Sequence, residues 1–249
     1  LRIDDLDAAR MRGEYLEDIF ASLAWLGLDW DTGPRDPADF LARHSQRLRL
    51  PSYLGALDRL IAPPDGGPPA VYACACSRSR AREAALAAGT PGLYPGTCRD
   101  RGLPLRADSA ASTVLRLRIE EGEEVVLRDL LAGDMRLHPA REAGDFVVRQ
   151  RNGDPAYQLA SVVDDEALGI DLVVRGADLL PSTAAQLALA RRLGAERFRN
   201  AVFIHHGLIV EGLSREEADA GTQAGAKISK SVMPRSEVSA EGGRPTAAW

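Results

Sequence analysis

The only three thiols of the chain fall in one short stretch, Cys74-Ala75-Cys76 and then Cys98. A Cys-x-Cys pair can present two thiolates to one ion from a single turn while a more distant residue closes the coordination sphere, which suits tetrahedral zinc. That leaves one ligand position. The histidines (His44, His138, His205 and His206) are remote in sequence, whereas Tyr94 lies four residues before Cys98 in Tyr94-Pro95-Gly96-Thr97-Cys98. A phenol keeps its proton to about pH 10, and a neighbouring metal ion can lower that value as it does for bound water. The same four residues can also be ordinary small buried groups, because free cysteine is among the most buried residue types. An odd cysteine count with no secretory leader predicts a reducing, cytoplasmic compartment rather than a disulfide.

Two further groups have chemical potential. Lys227-Ile228-Ser229-Lys230-Ser231 places two ammonium groups three residues apart in a Gly-flanked loop, where compact cations can follow the charge of a polyphosphate. Arg175 ends an apolar run, the position at which open α/β sheets bind ligands, and a guanidinium there can fork onto a carboxylate. Tyr157, beside Gln158, is expected to share its pocket. No Gly-x-x-x-x-Gly-Lys-Ser/Thr loop and no Gly-x-Gly-x-x-Gly fingerprint occurs, so neither the Walker-type nor the usual dinucleotide site has support.

The elements that would position these groups follow from periodicity. Asp7 is expected to cap a helix from Ala8 to about Gly27, and a second helical stretch spans about 39–61 with an interruption near Pro51. Pro63-Pro64-Asp65-Gly66-Gly67-Pro68-Pro69 is a breaker. A strand over 71–73 and a helix over 78–88 capped by Ser77 follow. From Ser112 the apolar residues alternate (Thr113, Leu115, Leu117, Ile119, then Val125 and Leu127), as strands require. Residues 146–151 and 156–163 around Asn152-Gly153 read as a hairpin. Residues 170–174 read as a buried strand, Ser182 as the cap of a helix to Gly194, and 201–205 as another strand. This order suggests an α/β core around a smaller β or zinc-bearing insert.

With 249 residues, 45% hydrophobic and 27% charged, the chain has an ordinary globular composition. No apolar run approaches the roughly 20 residues that span a membrane. A net charge of -5 and a pI near 5.5 exclude a general nucleic-acid coat but leave room for a local basic face. Residues 43–49 and 99–106 are the arginine-rich candidates.

Read in order, several segments resemble the class I glutamyl-type tRNA synthetases. They are Leu1-Arg2-Ile3-Asp4-Asp5-Leu6-Asp7, Tyr72-x-Cys74-x-Cys76-Ser77-Arg78, Tyr94-Pro95-Gly96-Thr97-Cys98-Arg99, Tyr157-Gln158-Leu159-Ala160, Val163-Asp164-Asp165, Val174-Arg175-Gly176-x-Asp178-Leu179-Leu180-x-Ser182-Thr183 and Lys227-Ile228-Ser229-Lys230-Ser231. The resemblance runs over residues 1–233. The cysteine spacing and the Ser ending of the lysine loop are most similar to the glutamyl-queuosine tRNA(Asp) synthetases, a short branch without an anticodon-binding domain.

That resemblance implies an α/β, Rossmann-type catalytic domain with a zinc-bearing insertion. Its divisions would be 1–62 for the first part of the catalytic domain, 63–145 for the insertion, 146–233 for the second part with the lysine loop, and 234–249 for a disordered tail. It implies a ligase that activates glutamate with ATP and Mg2+ and passes the glutamyl group to queuosine of tRNA(Asp). Asp4, Tyr157 and Arg175 match the glutamate contacts. Lys230, with Lys227 beside it, matches the ATP-contacting position, and Cys74, Cys76, Tyr94 and Cys98 match the ligands of one structural Zn2+. A cytoplasmic monomer without membrane contact is expected.

There are departures. Asp4 stands where the family usually has Glu, residues 211–225 look like added sequence, and the segment bearing the first strand, the phosphate loop and a His-x-Gly-His-like signature is missing upstream of Leu1. The chain as given is therefore expected to activate glutamate weakly or not at all. The alternatives are the catalytic portion of an enzyme charging tRNA(Glu), and a catalytically inactive, zinc-stabilised RNA-binding derivative of the fold.

Overall fold

The computed structural model describes residues 1–7, 11–105 and 112–208, together with the backbone of Val210–Glu211 and Ala226–Lys227. Two units emerge, one formed by residues 1–45 with those from 207 onward, the other by residues 46–206.

In the first unit, helix α1 covers Gly13–Trp25. It begins later than the expected Ala8: Arg12 is extended (φ -126°, ψ 144°) and no side chain caps the helix, so Asp7 is not its N-cap. Ala8–Arg10 lie outside the described residues. The apolar stripe works as expected, with Leu16 buried against Ile3 and Phe40 and with Ile19 and Phe20 packed around them. Beyond it come the short α2 (Pro37–Asp39) and a π-helical turn, Phe40–His44. A two-residue antiparallel ladder pairs Val210 with Lys227 and Glu211 with Ala226.

The second unit opens on a 3₁₀ turn at Gln46–Arg49 and α3 at Leu50–Ile61, which buries Tyr53, Ala56, Leu57 and Leu60. The helical stretch expected over 39–61 with an interruption near Pro51 is broken instead at Ser45 (φ -55°, ψ 135°). Pro51 sits in the first turn of α3, where a missing N–H leaves nothing unsatisfied. Strand β1 (Val71–Cys74) leads to α4 (Arg78–Ala87), whose first turn is capped by Ser77 Oγ accepting from the Arg80 amide at 3.2 Å. Next come β2 (Val114–Leu117), β3 (Val125–Asp129), β4 (Gly133–Leu137), α5 (Pro139–Glu142) and β5 (Val147–Arg149). The chain continues through α6 (Tyr157–Leu168), β6 (Leu172–Gly176), α7 (Leu180–Leu193), α8 (Glu196–Asn200) and β7 (Val202–His206).

Two sheets result. One is antiparallel in the order β1-β2-β5; in the other, ordered β4-β3-β7-β6, strands β3, β7 and β6 run parallel and β4 is antiparallel. No helix among the described residues is long and apolar enough to cross a membrane.

Three expectations fail here. Residues 156–163 are not the second arm of a hairpin: the Asn152-Gly153 turn forms, but only the bridge Arg149↔Pro155 survives, and the chain then enters α6. The apolar residues Leu159, Ala160, Val162 and Val163 do not alternate, and a helix buries Leu159, Ala160 and Val162 together on one side, ending at Gly169 with φ 69°. Strand β6 is not buried; among the described residues it ends its sheet, with Leu172 and Val174 exposed. Ser182 does not cap α7, which starts two residues earlier with Pro181 in its first turn.

Buried Asp164 ties α6 to α3. Its carboxylate accepts from Arg49 Nε (2.8 Å) and Nη2 (2.9 Å), Tyr53 Oη (2.8 Å) and Gln46 Nε2 (2.9 Å). A buried carboxylate with every lone pair engaged is costly to disturb, so this hub fixes the helix whose first residue is Tyr157.

Candidate functional site

The sheet β1-β2-β5 carries the cysteines. Cys74 ends β1, Cys76 follows it, and the loop after α4 returns Tyr94 and Cys98 to the same point. The three Sγ atoms lie within 4.8 Å of one another. Cys76 Sγ is 3.6 Å from Cys98 Sγ, and Tyr94 Oη is 3.2 Å from Cys74 Sγ and 3.5 Å from Cys76 Sγ. The cysteines are free thiols, since a disulfide would need about 2.05 Å. Zinc–sulfur bonds of about 2.3 Å in a tetrahedron put sulfurs about 3.8 Å apart, so the donor set fits a single ion.

Charge within the cluster is uneven. Burial and the hydrogen bonds to Cys74, Cys98 and Cys76 push the Tyr94 phenol well above its usual range. Burial also raises Cys98, but hydrogen bonds from Tyr94, the Ala75 backbone and the other two thiols outweigh it and bring Cys98 down to about 7.

A second ring of groups surrounds the four residues. Asp145 accepts from Tyr72 Oη (2.6 Å), Arg99 Nε (3.0 Å) and Nη2 (2.7 Å), and the Ile119 amide (2.9 Å). Arg116 lies 3.7 Å above the Tyr94 ring, and Arg151 Nη2 donates to the Cys76 carbonyl at 3.0 Å.

The other sheet gathers a polar cluster at the C-terminal ends of its parallel strands. Arg175 of β6 is in register with His205 of β7, and Asp129 ends β3. Asp129 Oδ2 accepts from the His205 amide (3.0 Å) and Nδ1 (2.7 Å), while Oδ1 accepts from the amides of Leu131 and Ala132, both at 2.9 Å. His205 Nε2 meets Thr183 Oγ1 at 2.8 Å. Arg175 Nη1 donates to Gln186 Oε1 at 2.8 Å, and its guanidinium lies 5.2 Å above the Phe203 ring, which stacks in turn on His205. Burial pushes the Asp129 carboxyl up, but the amides and the His205 ring outweigh it and hold it at about 2.

The sequence-derived residues are thus distributed unevenly. Cys74, Cys76, Tyr94 and Cys98 converge. Arg175 is at the C-terminal end of a parallel strand as expected, but its side chain is buried against Gln186 and Phe203. Tyr157, expected on a strand, is the exposed first residue of α6, and the adjacent Gln158 donates to Ser182 Oγ at 3.1 Å. Asp4 belongs to the other unit and pairs with Arg2 Nε at 3.0 Å. Lys227 contributes backbone to the short ladder, while Lys230 lies outside the described residues.

Sequence reasoning missed Asp129, Gln186 and His205. The available signal was positional: a carboxylate and a histidine each sit at the end of an apolar strand run. The two arginine-rich stretches are partly neutralised within the chain, Arg43 by Asp39, Arg49 by Asp164 and Arg99 by Asp145.

A sequence model of the tRNA synthetases class I (E and Q), catalytic domain, matches residues 1–215. The chain is 44% identical over 203 residues to the "Glutamyl-Q tRNA(Asp) synthetase" of Symbiobacterium thermophilum, covering 78% of this chain and 60% of that protein. To the protein of that name from Nitratidesulfovibrio vulgaris it is 41% identical over 204 residues, covering 79% and 60%. Identity to the "Glutamate--tRNA ligase" of Desulfosudis oleivorans is 36% over 199 residues, covering 79% and 38%. The chain therefore spans 60% of the length of the first two curated relatives. Among solved structures, a glutamate tRNA ligase from Elizabethkingia meningosepticum aligns over 88% of this chain and 45% of its own, with a TM-score of 0.66 at 24% identity, a likeness of fold.

Proposed function

Because this chain belongs to the class I tRNA synthetases (E and Q), catalytic domain family, we propose that it serves an enzyme that activates glutamate with ATP and transfers the glutamyl group to queuosine of tRNA(Asp). The glutamate carboxylate attacks the α-phosphorus of ATP, with Mg2+, and pyrophosphate leaves. A hydroxyl of queuosine then attacks the glutamyl carbonyl, and AMP leaves.

Arg175 would meet the side-chain carboxylate of glutamate, Tyr157 and Asp4 its remaining polar groups, and Lys230 with Lys227 the phosphates of ATP. Gln186 and Phe203, which contact Arg175, would fix its aim. Cys74, Cys76, Tyr94 and Cys98 would hold one Zn2+. Four protein ligands leave no open position, so this ion would brace the insertion rather than do chemistry.

The observation that carries the reading is the 44% and 41% identity to two proteins named "Glutamyl-Q tRNA(Asp) synthetase", against 36–38% to proteins named "Glutamate--tRNA ligase". The test supplies radiolabelled glutamate and ATP to the protein expressed from its complete reading frame, with queuosine-containing tRNA(Asp), unmodified tRNA(Asp) or tRNA(Glu). Label on queuosine-containing tRNA(Asp) alone is expected. Label confined to tRNA(Glu) would overturn the reading in favour of an ordinary charging enzyme.

A further inference from the structure

Several arginines of the insertion are ion-paired and several are not. Arg99 is held by Asp145 and Arg118 reaches Asp100, whereas Arg78 and Arg82 have no carboxylate within ion-pair distance among the described residues. These two stand four apart on α4, on one face of the helix, and both are exposed. Together with Arg116 they line a cavity of about 370 Å³ whose remaining walls include Ala81, Ala85 and Leu93. Arg116 Nε is buried there without an acceptor, while its Nη1 donates to the Asp145 carbonyl at 2.7 Å.

Among the described residues Asp145 is the only carboxylate on the lining, and both of its oxygens are taken: Oδ1 by Arg99 and the Ile119 amide, Oδ2 by Tyr72 and Arg99. Three arginines thus line a partly apolar cavity whose one carboxylate is already matched by a fourth, Arg99. In a chain of net charge -5 this is a local reversal of sign, and low-dielectric walls strengthen its field.

We propose that Arg78, Arg82 and Arg116 form a seat for a backbone phosphate of RNA. Guanidinium forks suit an acceptor-only tetrahedral anion with several oxygens, where a lysine would offer only a point charge. The face is on an exposed helix, open to a long polyanion. The choice of RNA over a free phosphate compound rests on the reading of the chain as a tRNA-acting synthetase.

The test is binding of a tRNA(Asp) transcript to the full chain by fluorescence anisotropy across a salt series. Arg78→Gln combined with Arg82→Gln is expected to weaken binding about tenfold near 0.1 M salt and to flatten the slope of log K against log[salt] by about 1, since the seat holds one phosphate and each phosphate contact contributes about 0.9 to it. Arg80→Gln, on the same helix but off the cavity lining, is expected to change neither. An unaltered slope in the double variant overturns the proposal, as does an equal per-charge loss with Arg80→Gln, which would mean diffuse attraction. Titration with ATP and inorganic phosphate separates the sources: arginine-dependent binding of these, with RNA binding intact in the double variant, overturns the RNA assignment. Glutamate-dependent ATP–pyrophosphate exchange by the full-length protein tests the synthetase reading separately. Its absence together with an arginine-dependent salt slope would sink the enzyme reading and leave the phosphate seat standing.

Discussion

The cysteine cluster and the polar cluster at the ends of β3, β6 and β7 are built from opposite materials. In the first, sulfurs and a phenol approach to 3.2–3.6 Å, contacts that are weak as hydrogen bonds. In the second, hard groups satisfy one another: Asp129 accepts four hydrogen bonds, and His205 is held at both ring nitrogens. The part of it running from Asp129 through His205 to Thr183 belongs to the sheet and stabilises it unaided. Converging soft donors add little cohesion until an ion binds them. One cluster should therefore contribute intrinsic stability, and the other conditional stability.

The largest effect that could break this contrast is expected at Asp129. Asp129→Ala removes the acceptor from three amides and one imidazole nitrogen in a buried setting, which should cost about 3–5 kcal/mol in urea unfolding followed by far-UV circular dichroism. A loss under about 1 kcal/mol, the scale of one ordinary hydrogen bond, would mean that the network is incidental. A somewhat smaller effect is expected from zinc. At free zinc 100-fold above its dissociation constant, the loaded chain should gain about 2.7 kcal/mol over the stripped one, read as a rise in melting temperature. Cys98→Ser should abolish most of that gain while leaving the stripped protein nearly unchanged. Equal melting with and without zinc would remove the distinction between the clusters.

How far each cluster could be read from sequence follows from the same contrast. Cys74, Cys76, Tyr94 and Cys98 span 25 positions and use rare residue types, so spacing alone suggested their convergence. The antiparallel β1–β2 pair and the Ser77 cap of α4 were legible for a similar reason, because both are local. Asp129 and His205 are 76 positions apart, and only the parallel pairing of β3 with β7 joins them. Nothing in their neighbours announces that pairing. The sequence points Tyr157 to a strand because residues 156–163 are short, apolar and rich in small side chains, where periods of 2 and 3.6 are hard to separate. The position of β6 at the end of its sheet among the described residues was hidden because an apolar run of Ile and Val reads the same there as in the middle of a sheet. The arginine-rich stretches misled for a different reason: their partners, Asp164 and Asp145, lie 115 and 46 positions away.

Acid offers a milder probe of the polar cluster. Its hydrogen bonds hold the Asp129 carboxyl at about 2, below the roughly 3.9 of an unfolded aspartate. A depressed folded-state value means that the stabilisation is complete above the unfolded pKa and is lost as pH falls toward the folded one. Stability should therefore decline between about pH 4 and pH 2, and Asp129→Asn should flatten that limb relative to its own neutral-pH value. A limb of the same depth in the variant would assign the acid sensitivity to other carboxylates.

The smallest expected effect is at the outer end of the network. His205 Nδ1 faces a carboxylate that can only accept, so Nδ1 carries a proton, and Nε2 is left to Thr183 Oγ1, whose hydroxyl also reaches the Leu179 carbonyl at 3.1 Å. Thr183→Val keeps the shape of the side chain but removes both hydrogen bonds, leaving Nε2 without a partner among these groups. One unmade buried bond of this type should cost about 1–2 kcal/mol, measurable as a shift in the urea midpoint without a change in slope. Thr183→Ser restores the hydroxyl and should recover most of the loss, which separates hydrogen bonding from packing of the methyl group. The ring ¹⁵N shift of His205 supplies the readout that packing alone would not move: it should change in the valine variant and return in the serine variant. If valine is neutral in both measurements, the network stops at the His205–Asp129 pair, and the contrast with the cysteine cluster narrows to that single pair.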